Sequence, residues 1–133
     1  MLNWVPRRVR LVKAATDESG NDKKHFTVTL ERSTGESFVG ETGAPESIAT
    51  ELRTSAEATV VALRKMIGQA AEITLRGVMP VAAFGHDLVV VSIKVTHEGQ
   101  VHRLFGLCPV TGNRALAAAG ATLNAANRFL GLG

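Results

Sequence analysis

The sequence is poor in cysteine, which limits both its covalent chemistry and its expected compartment. Cys108 is the only cysteine, so no disulfide can form within the chain. A lone cysteine is typical of proteins from reducing compartments, and we therefore expect a cytoplasmic protein. The first eight residues lack the apolar stretch that follows the basic head of a secretory signal, so we also expect no such signal.

The sequence also lacks a long apolar run. The longest such stretch surrounds residues 88–91, far short of the roughly 18 apolar residues that a membrane helix needs. We therefore predict no membrane span. A length of 133 residues fits a single domain, 1–133, with one hydrophobic core.

Acidic residues are absent after Glu98, whereas basic residues are concentrated at the beginning of the chain. The early basic residues are Arg7, Arg8, Arg10, Lys13, Lys23 and Lys24, and the formal net charge is +3. This asymmetry has two interpretations. It either aids solubility or provides a surface for a polyanion such as nucleic acid.

Residue patterns that support catalysis or metal binding are missing. The four histidines, His25, His86, His97 and His102, have no spacing typical of a zinc site, and Cys108 has no cysteine near it. The glutamates are spread along the chain, and residues 40–43 are too few and too acidic for a phosphate-binding loop. We therefore expect no metal, no cofactor and no catalytic residues.

What the sequence does contain is an internal repeat. Residues 55–68 align with residues 118–131, and residues 38–40 correspond to residues 105–106. The alignment pairs Ala56 with Ala119, Ala58 with Ala121, Thr59 with Thr122, Ala62 with Ala125 and Gly68 with Gly131. Self-similarity of this kind indicates a duplicated structural unit, with repeats at 5–68 and 71–131.

The first repeat predicts three strands and a helix. Alternating patterns predict strands at 8–15, 25–32 and 37–41, with a polar turn cluster at 17–24 and a hairpin turn at 33–36. A helical period begins near Glu46, with Pro45 in the first turn and with Lys65 and Gly68 at the end. The predicted buried stripe is Ile48, Leu52, Ala56, Thr59 or Val60, Leu63 and Ile67, with Arg53, Glu57, Arg64 and Lys65 turned away.

The second repeat predicts the same order. Strands are predicted at 71–83, 88–96 and 101–108, with turns at 85–86 and 98–99. Residues 111–113 are suited to cap a helix whose buried stripe is Leu116, Ala119, Leu123, Ala126 and Leu130. The predicted fold is therefore α+β, with two tandem βββα repeats (βββα-βββα), antiparallel sheets and helices on one face.

The other face of the predicted sheets includes apolar residues that do not suit contact with water. Val90, Leu104 and Val110 are three of them. We therefore expect a self-associating surface and a homodimer or higher homo-oligomer.

The segments from the third strand to the helix occupy equivalent places in the two repeats. They span residues 40–45 and 106–112, and each leads to a helix start whose free N–H groups favour a carboxylate or phosphate. They predict a paired site for a small anion or amino acid. Ordinary capping loops are the alternative.

The second repeat resembles a known family. Its last helix ends with Thr-Leu-Asn-Ala-Ala-Asn-Arg-Phe-Leu at 122–130, after a glycine-containing strand at 105–107 and a short polar loop at 109–113. These segments, with the strand pair 88–96 and 101–107 and the order of the elements, resemble the C-terminal regulatory domain of α-isopropylmalate synthase and citramalate synthase. The likeness covers 71–131 residue by residue and the first repeat by topology.

The resemblance implies a non-catalytic, homodimeric regulatory module that binds a small amino or organic acid between its two repeats. Carried over by position, the ligand-binding residues are Gly40, Glu41, Thr42, Gly43, Gly106, Leu107, Cys108 and Pro109. The family's catalytic barrel is missing here, as is the acid in its last loop, so the identity of the ligand stays open. On this basis Gly43→Val and Gly106→Val are expected to weaken binding without disrupting the fold.

Two other interpretations remain. Residues 46–131 have the element order of a double-stranded-RNA-binding domain, although that fold uses lysines at the start of its last helix and this chain offers Arg114. A nucleic-acid-binding module would use Arg7, Arg8, Arg10, Lys13, Lys23, Lys24 and Arg114. A structural assembly subunit is the third interpretation.

Overall fold

The structure, a computed structural model, describes residues 9–19 and 23–130 and has the predicted α+β fold with two βββα units. The first unit contains β1 (Val9–Ser19), β2 (Lys23–Arg32), β3 (Ser37–Gly43) and α1 (Ile48–Ile67). A short 3-10 turn (Gly68–Ala70) leads to the second unit. This unit contains β4 (Glu72–Ala83), β5 (His86–His97), β6 (Gln100–Pro109) and α2 (Arg114–Leu130).

Each unit has its own three-stranded antiparallel sheet, with strand orders β1-β2-β3 and β4-β5-β6. We call them sheet 1 and sheet 2. Their registers are equivalent: the row Ala14–Val28–Gly40 of sheet 1 matches the row Val78–Val91–Gly106 of sheet 2. The ladders also shift register at the same place, between Leu11 and Lys13 in β1 and between Leu75 and Gly77 in β4. The duplication therefore extends to the strands, where the sequence alignment was weakest.

Each helix lies unusually close to its own sheet. A Cβ atom at Gly40 or Gly106 would overlap a backbone carbonyl oxygen of the helix above it. Gly40 lies against Ala58 and Ala62, and Gly106 lies against Ala121 and Ala125. Because these alanines are the pairs matched in the sequence alignment, the repeated pattern encodes a repeated contact between helix and sheet.

The two units are interlocked. Besides their own sheets, α1 contacts β4 and α2 contacts β1, and the helices contact each other. The buried Ser55 hydroxyl of α1 donates a hydrogen bond to the Ala115 carbonyl oxygen of α2, with an O···O distance of 2.6 Å. This bond brings the second turn of α1 beside the first turn of α2.

The central strands supply the large core residues, and the helices supply mainly small ones. Val89, Val91, Ile93 and Val95 of β5 are buried, as their alternation predicts. The buried residues of α2 are mostly alanines, because the close approach to sheet 2 leaves no room for larger side chains. The predicted stripes were wrong at Ile48, which is 74% exposed, and at Leu116, which is 43% exposed.

Several element boundaries also differ from the predictions. The polar cluster at 17–24 lies mostly in strands, because β1 continues to Ser19 and β2 begins at Lys23. Pro45 precedes the helix, whose N-cap is Ser47. The prediction for the helix end was correct, since Gly68 caps α1 with a φ of +66°. Neither of the two described helices has the length and hydropathy that crossing a bilayer requires.

Candidate functional site

The eight residues predicted to bind a ligand lie in strands rather than in loops. Residues 40–43 belong to β3, and residues 106–109 belong to β6. The actual connections to the helices are residues 44–47 and 110–113. Strand pairing continues further than the turn-forming sequence of the first connection suggested, since Thr42 and Gly43 still pair with β2.

Alternation along the strands separates these eight residues onto two faces of each sheet. Gly40, Thr42, Gly106 and Cys108 lie on the helix side, whereas Glu41, Gly43, Leu107 and Pro109 lie on the outer side. A single small ligand therefore cannot touch all of them. Packing against the helices accounts for Gly40 and Gly106 without a ligand, and the expectation that Gly106→Val preserves the fold was wrong.

One of the eight, Thr42, lines a cleft between α1, β3 and β4. The cleft has a volume of about 350 Å³, enough for a small organic molecule. Its walls are formed by Thr42, Arg53, Glu57, Val60, Val61, Arg64, Thr74 and Leu75. Because β4 belongs to the second unit, the cleft lies where the two repeats meet, and we call it the α1–β4 cleft.

The hydroxyl oxygen of Thr42 is buried at the wall of this cleft and has no hydrogen-bond partner among the described residues. Leaving a buried hydroxyl unpaired costs roughly 1–3 kcal/mol, so such groups call for an explanation. The buried hydroxyls of Thr59 and Thr122 differ from it, since each donates to a helix carbonyl oxygen at 2.8 Å. The Thr42 hydroxyl is therefore an unsatisfied polar group at the wall of the cleft, and its oxygen has almost no exposed surface.

Charged groups of both signs lie along the same cleft. Arg53 Nε is 3.0 Å from Glu57 Oε1, and Arg64 Nε donates to the Ile73 carbonyl oxygen at 3.0 Å. The bond to Ile73 orients the Arg64 guanidinium and leaves its terminal N–H groups for another acceptor. Two guanidinium groups and one carboxylate give the cleft a net positive charge.

This arrangement is chemically suited to bind a small carboxylate. Guanidinium groups bind carboxylates through paired hydrogen bonds, and the Glu57 carboxylate can accept from an ammonium group. Val60, Val61 and Leu75 supply apolar surface beside these polar groups. The combination fits the three parts of an amino acid.

A second cleft, of about 260 Å³, lies at the beginning of α2. It is lined mainly by apolar residues of β4 and β5, together with Leu52, Asp87, Val110 and Arg114. The N–H of Val110 donates to the Asp87 carbonyl oxygen at 2.8 Å, and Asn113 Oδ1 accepts from the N–H of Ala115 at 2.8 Å. Because the start of α2 is capped by Asn113, this cleft offers fewer free donors than the α1–β4 cleft.

Cys108 occupies the position in β6 that Thr42 occupies in β3. Its sulfur lies against Gly120, where a Cβ atom would be only 3.1 Å away. Burial raises the pKa of the Cys108 thiol, so the reactive thiolate is disfavoured. The second repeat therefore has a thiol at the position where the first repeat has the buried hydroxyl of Thr42.

The basic residues of the nucleic-acid interpretation do not form one described surface. Arg10 is paired with Glu31 at 2.8 Å and Lys13 with Asp17 at 2.7 Å, while Arg114 is exposed at the second cleft. Arg7 and Arg8 and the side chains of Lys23 and Lys24 lie outside the described part of the chain. The nucleic-acid interpretation stays a prediction.

Three of the four histidines, His25, His97 and His102, have contacts within the described structure. The His97 and His102 rings lie against Phe129, with centroid distances of 5.3 and 6.1 Å, and His97 Nδ1 is 2.8 Å from the Ala70 carbonyl oxygen. His25 is 3.5 Å from Glu41. Within residues 9–19 and 23–130, no three His, Cys, Asp or Glu side chains group as metal ligands would.

Sequence reasoning missed Arg53, Glu57 and Arg64 as site residues, because their helical positions pointed away from the predicted stripe. They do point away from sheet 1, but β4 of the second unit lies beside them. The spacing of Arg53 and Glu57 predicts an ion pair, and nothing in it predicts the neighbouring strand.

Comparisons of the chain with protein-family models and with curated proteins found no match.

Proposed function

We propose that this protein is a non-catalytic module that binds a small anionic or zwitterionic molecule in the α1–β4 cleft. The observation that carries the proposal is the buried Thr42 hydroxyl, which has no partner among the described residues and lies at the wall of a cleft with two guanidinium groups. A ligand that enters the cleft deeply enough to hydrogen-bond to Thr42 would offset the cost of burying it.

Within this class, an amino acid with a small apolar side chain is the ligand that the cleft fits best. Its carboxylate would meet Arg53 and Arg64, its ammonium group Glu57, and its side chain the apolar wall. The likeness of the element order to the isopropylmalate synthase regulatory domain supports a regulatory use. Binding between α1 and β4 would join the two repeats and so stabilise their relative arrangement.

The test compares thermal unfolding with and without amino acids, short 2-oxo acids and hydroxy acids. A ligand at about 100 times its Kd adds about 2.7 kcal/mol to stability, which raises the Tm by several degrees. We expect the strongest response from an amino acid. Its methyl ester, which lacks the carboxylate charge, should give a much smaller one.

Thr42→Val separates binding from folding, because it removes an unpaired hydroxyl and keeps the shape of the side chain. We expect unchanged or slightly increased stability, with binding about tenfold weaker for the loss of one hydrogen bond. Thr59→Val is the matched control. It removes a buried, paired hydroxyl and should cost about 1 kcal/mol of stability while leaving affinity unchanged. Normal ligand affinity in Thr42→Val, or no response to any compound, would contradict the proposal.

A further inference from the structure

The outer faces of the two sheets differ in chemistry although their backbones are equivalent. The row Ala15–Thr27–Glu41 of sheet 1 corresponds to the row Met79–Val90–Leu107 of sheet 2. The next row is Lys13–Thr29–Val39 in sheet 1 and Gly77–Ser92–Phe105 in sheet 2. Since sheet 1 folds with a largely polar outer face, the fold itself does not require the apolar residues of sheet 2.

Three of these apolar side chains are largely open to solvent, and Val90 is half-buried. The exposed fractions are 58% for Met79, 59% for Phe105 and 54% for Leu107, and Val90 lies between Met79 and Leu107 in the same row. We call Met79, Val90, Phe105 and Leu107 the sheet-2 patch. A contiguous apolar patch on a folded protein is typical of an interaction surface.

Two cations lie at one end of the patch. Lys94 and Arg103 are directly opposite each other on β5 and β6 and, within the described residues, neither has an ion pair. Like charges at opposed positions are destabilising. The equivalent of Lys94 in sheet 1 is Glu31, which is paired with Arg10. Sheet 2 thus carries unneutralised positive charge where sheet 1 carries none.

An aromatic side chain projects at the opposite end. Phe84 is the first residue of the β4–β5 turn, is 97% exposed and has a φ of +53°. Positive φ disfavours a bulky side chain, and Asn, Asp or Gly are the usual residues at this turn position. The equivalent turn position between β5 and β6 holds Glu98, a polar residue. A phenylalanine at position 84 neither suits the backbone of the turn nor packs in the core of this molecule.

We infer that the sheet-2 patch binds the sheet-2 patch of a second copy of this chain, with Phe84 of each copy beside Lys94 of the other. This surface and its two end contacts are independent of the ligand proposed above. The two ends of the face are equally far from its centre.

The centre is the row Met79–Val90–Leu107. Along β5, His86 at the Phe84 end and Lys94 at the cationic end are each four residues from Val90, which is about 14 Å at about 3.4 Å per residue. A two-fold axis that runs through this row, across the strands, therefore places the Phe84 end of one copy over the cationic end of the other. An aromatic ring near Lys or Arg is a favourable cation–π contact.

The same axis also matches the apolar residues. It places Val90 against the partner's Val90, and the Leu88–Pro109 pair against the partner's Ser92–Phe105 pair. No apolar residue of the patch then faces a cation. A second copy therefore covers the apolar centre and brings an aromatic ring to the cationic end, where His86 lies opposite the partner's Lys94.

The area available agrees with a dimer of moderate stability. Three strands of about ten residues cover roughly 15 by 33 Å, which is a flat area of about 500 Å². The surface of the projecting side chains adds to this area. A standard protein interface buries about 800 Å² per partner. With Phe84 added, the face is at the small end of this range, and we expect a dimer that dissociates on dilution through the micromolar range.

The first test is sedimentation equilibrium from about 1 to 500 μM with the whole protein. We expect a dimer at the upper end and a monomer at the lower end. The double variant Val90→Thr/Leu107→Glu gives sheet 2 the residues that sheet 1 carries at Thr27 and Glu41, so its fold is expected to survive. It should weaken the dimer at least a hundredfold. Val39→Thr, which changes an exposed apolar residue of sheet 1, is the matched control and should have no effect.

The second test examines the end contacts. Phe84→Asn should relax the turn and raise the Tm of the monomer, yet weaken the dimer about tenfold. Glu98→Asn makes the same change in the other turn and should leave the dimer unchanged. In a Cys108→Ser background, a mixture of Phe84→Cys and Lys94→Cys should form mixed dimers with a short bismaleimide crosslinker, more efficiently than either variant alone.

Three results would overturn the inference. They are a monomer at 500 μM, a dimer that persists in Val90→Thr/Leu107→Glu, and a monomer that instead binds an RNA duplex through Lys94 and Arg103. Circular dichroism of each variant verifies that loss of the dimer is not loss of the fold.

Discussion

Gly40 and Gly106 show at the residue scale how a missing side chain determines the fold. We predict that Gly40→Ala or Gly106→Ala costs more than about 2 kcal/mol in the free energy of unfolding, because the added methyl group overlaps a helix carbonyl oxygen. Gly43→Ala is the control, since a Cβ there has no atom within 4 Å, and it should change stability by less than about 1 kcal/mol. Urea denaturation measures all three. An unchanged midpoint for Gly106→Ala would contradict the close contact.

Cys108 predicts a pH dependence. Burial raises the pKa of its thiol in the folded protein, above the value of about 8.5 in the unfolded chain. Below that value the thiol is neutral in both states and its contribution to stability is fully present. As pH rises through the folded pKa, the unfolded chain has already lost its proton, and the contribution is lost.

The free energy of unfolding should therefore fall more steeply from about pH 8 to 10 in the native protein than in Cys108→Ser. Iodoacetamide should also alkylate Cys108 more slowly at pH 8 in folded than in unfolded protein. Identical pH profiles for the two proteins, together with equal alkylation rates, would show that the thiol is not protected.

At the scale of elements, residue patterns predicted the strands and helix ends that depend on residues close together in sequence. The alternation of Val89, Val91, Ile93 and Val95 identified the central strand of sheet 2, and Asn113 and Gly68 identified a helix start and a helix end. These features depend on local backbone geometry and on which side of one element is apolar.

The helical stripes were less predictable, because they depend on how closely the helix approaches its sheet. In α2 the alanines face sheet 2 and the larger Leu116 lies at the edge, since Gly106 brings the strand into backbone contact. A rule that places the largest apolar residues inside therefore misplaces Leu116, although Ala119, Leu123 and Ala126 of the predicted stripe are buried. Ile48 is exposed for a different reason, which is that the buried part of α1 begins one turn later, at Leu52.

For the whole molecule, interlocking of the repeats predicts a single cooperative unfolding transition. Each helix contacts a strand of the other unit, and Ser55 of α1 bonds to Ala115 of α2. Calorimetric and van't Hoff enthalpies should therefore agree. Ser55→Ala should cost about 1 kcal/mol through loss of the buried bond, without splitting the transition. Two separate transitions would show that the units fold independently.

The candidate site could be predicted only in part, because its walls come from both repeats. Thr42 was among the predicted ligand residues, and it does line a cleft. Arg53, Glu57 and Arg64 were placed in solvent, since helical spacing does not show where the next strand, β4, packs. Neighbours from another element decide which polar side chains are enclosed.

The sequence by itself determined the order of elements and the duplication, because period, caps and repeated small residues are local properties of the chain. The tertiary structure alone decided that the same βββα unit has a polar outer sheet face in one repeat and an apolar one in the other. It also decided that the α1–β4 cleft forms between the units. Strand register places Thr27 and Val90 at equivalent outward positions of the two sheets. Without that register the sequence does not show that a polar residue of one sheet face corresponds to an apolar residue of the other.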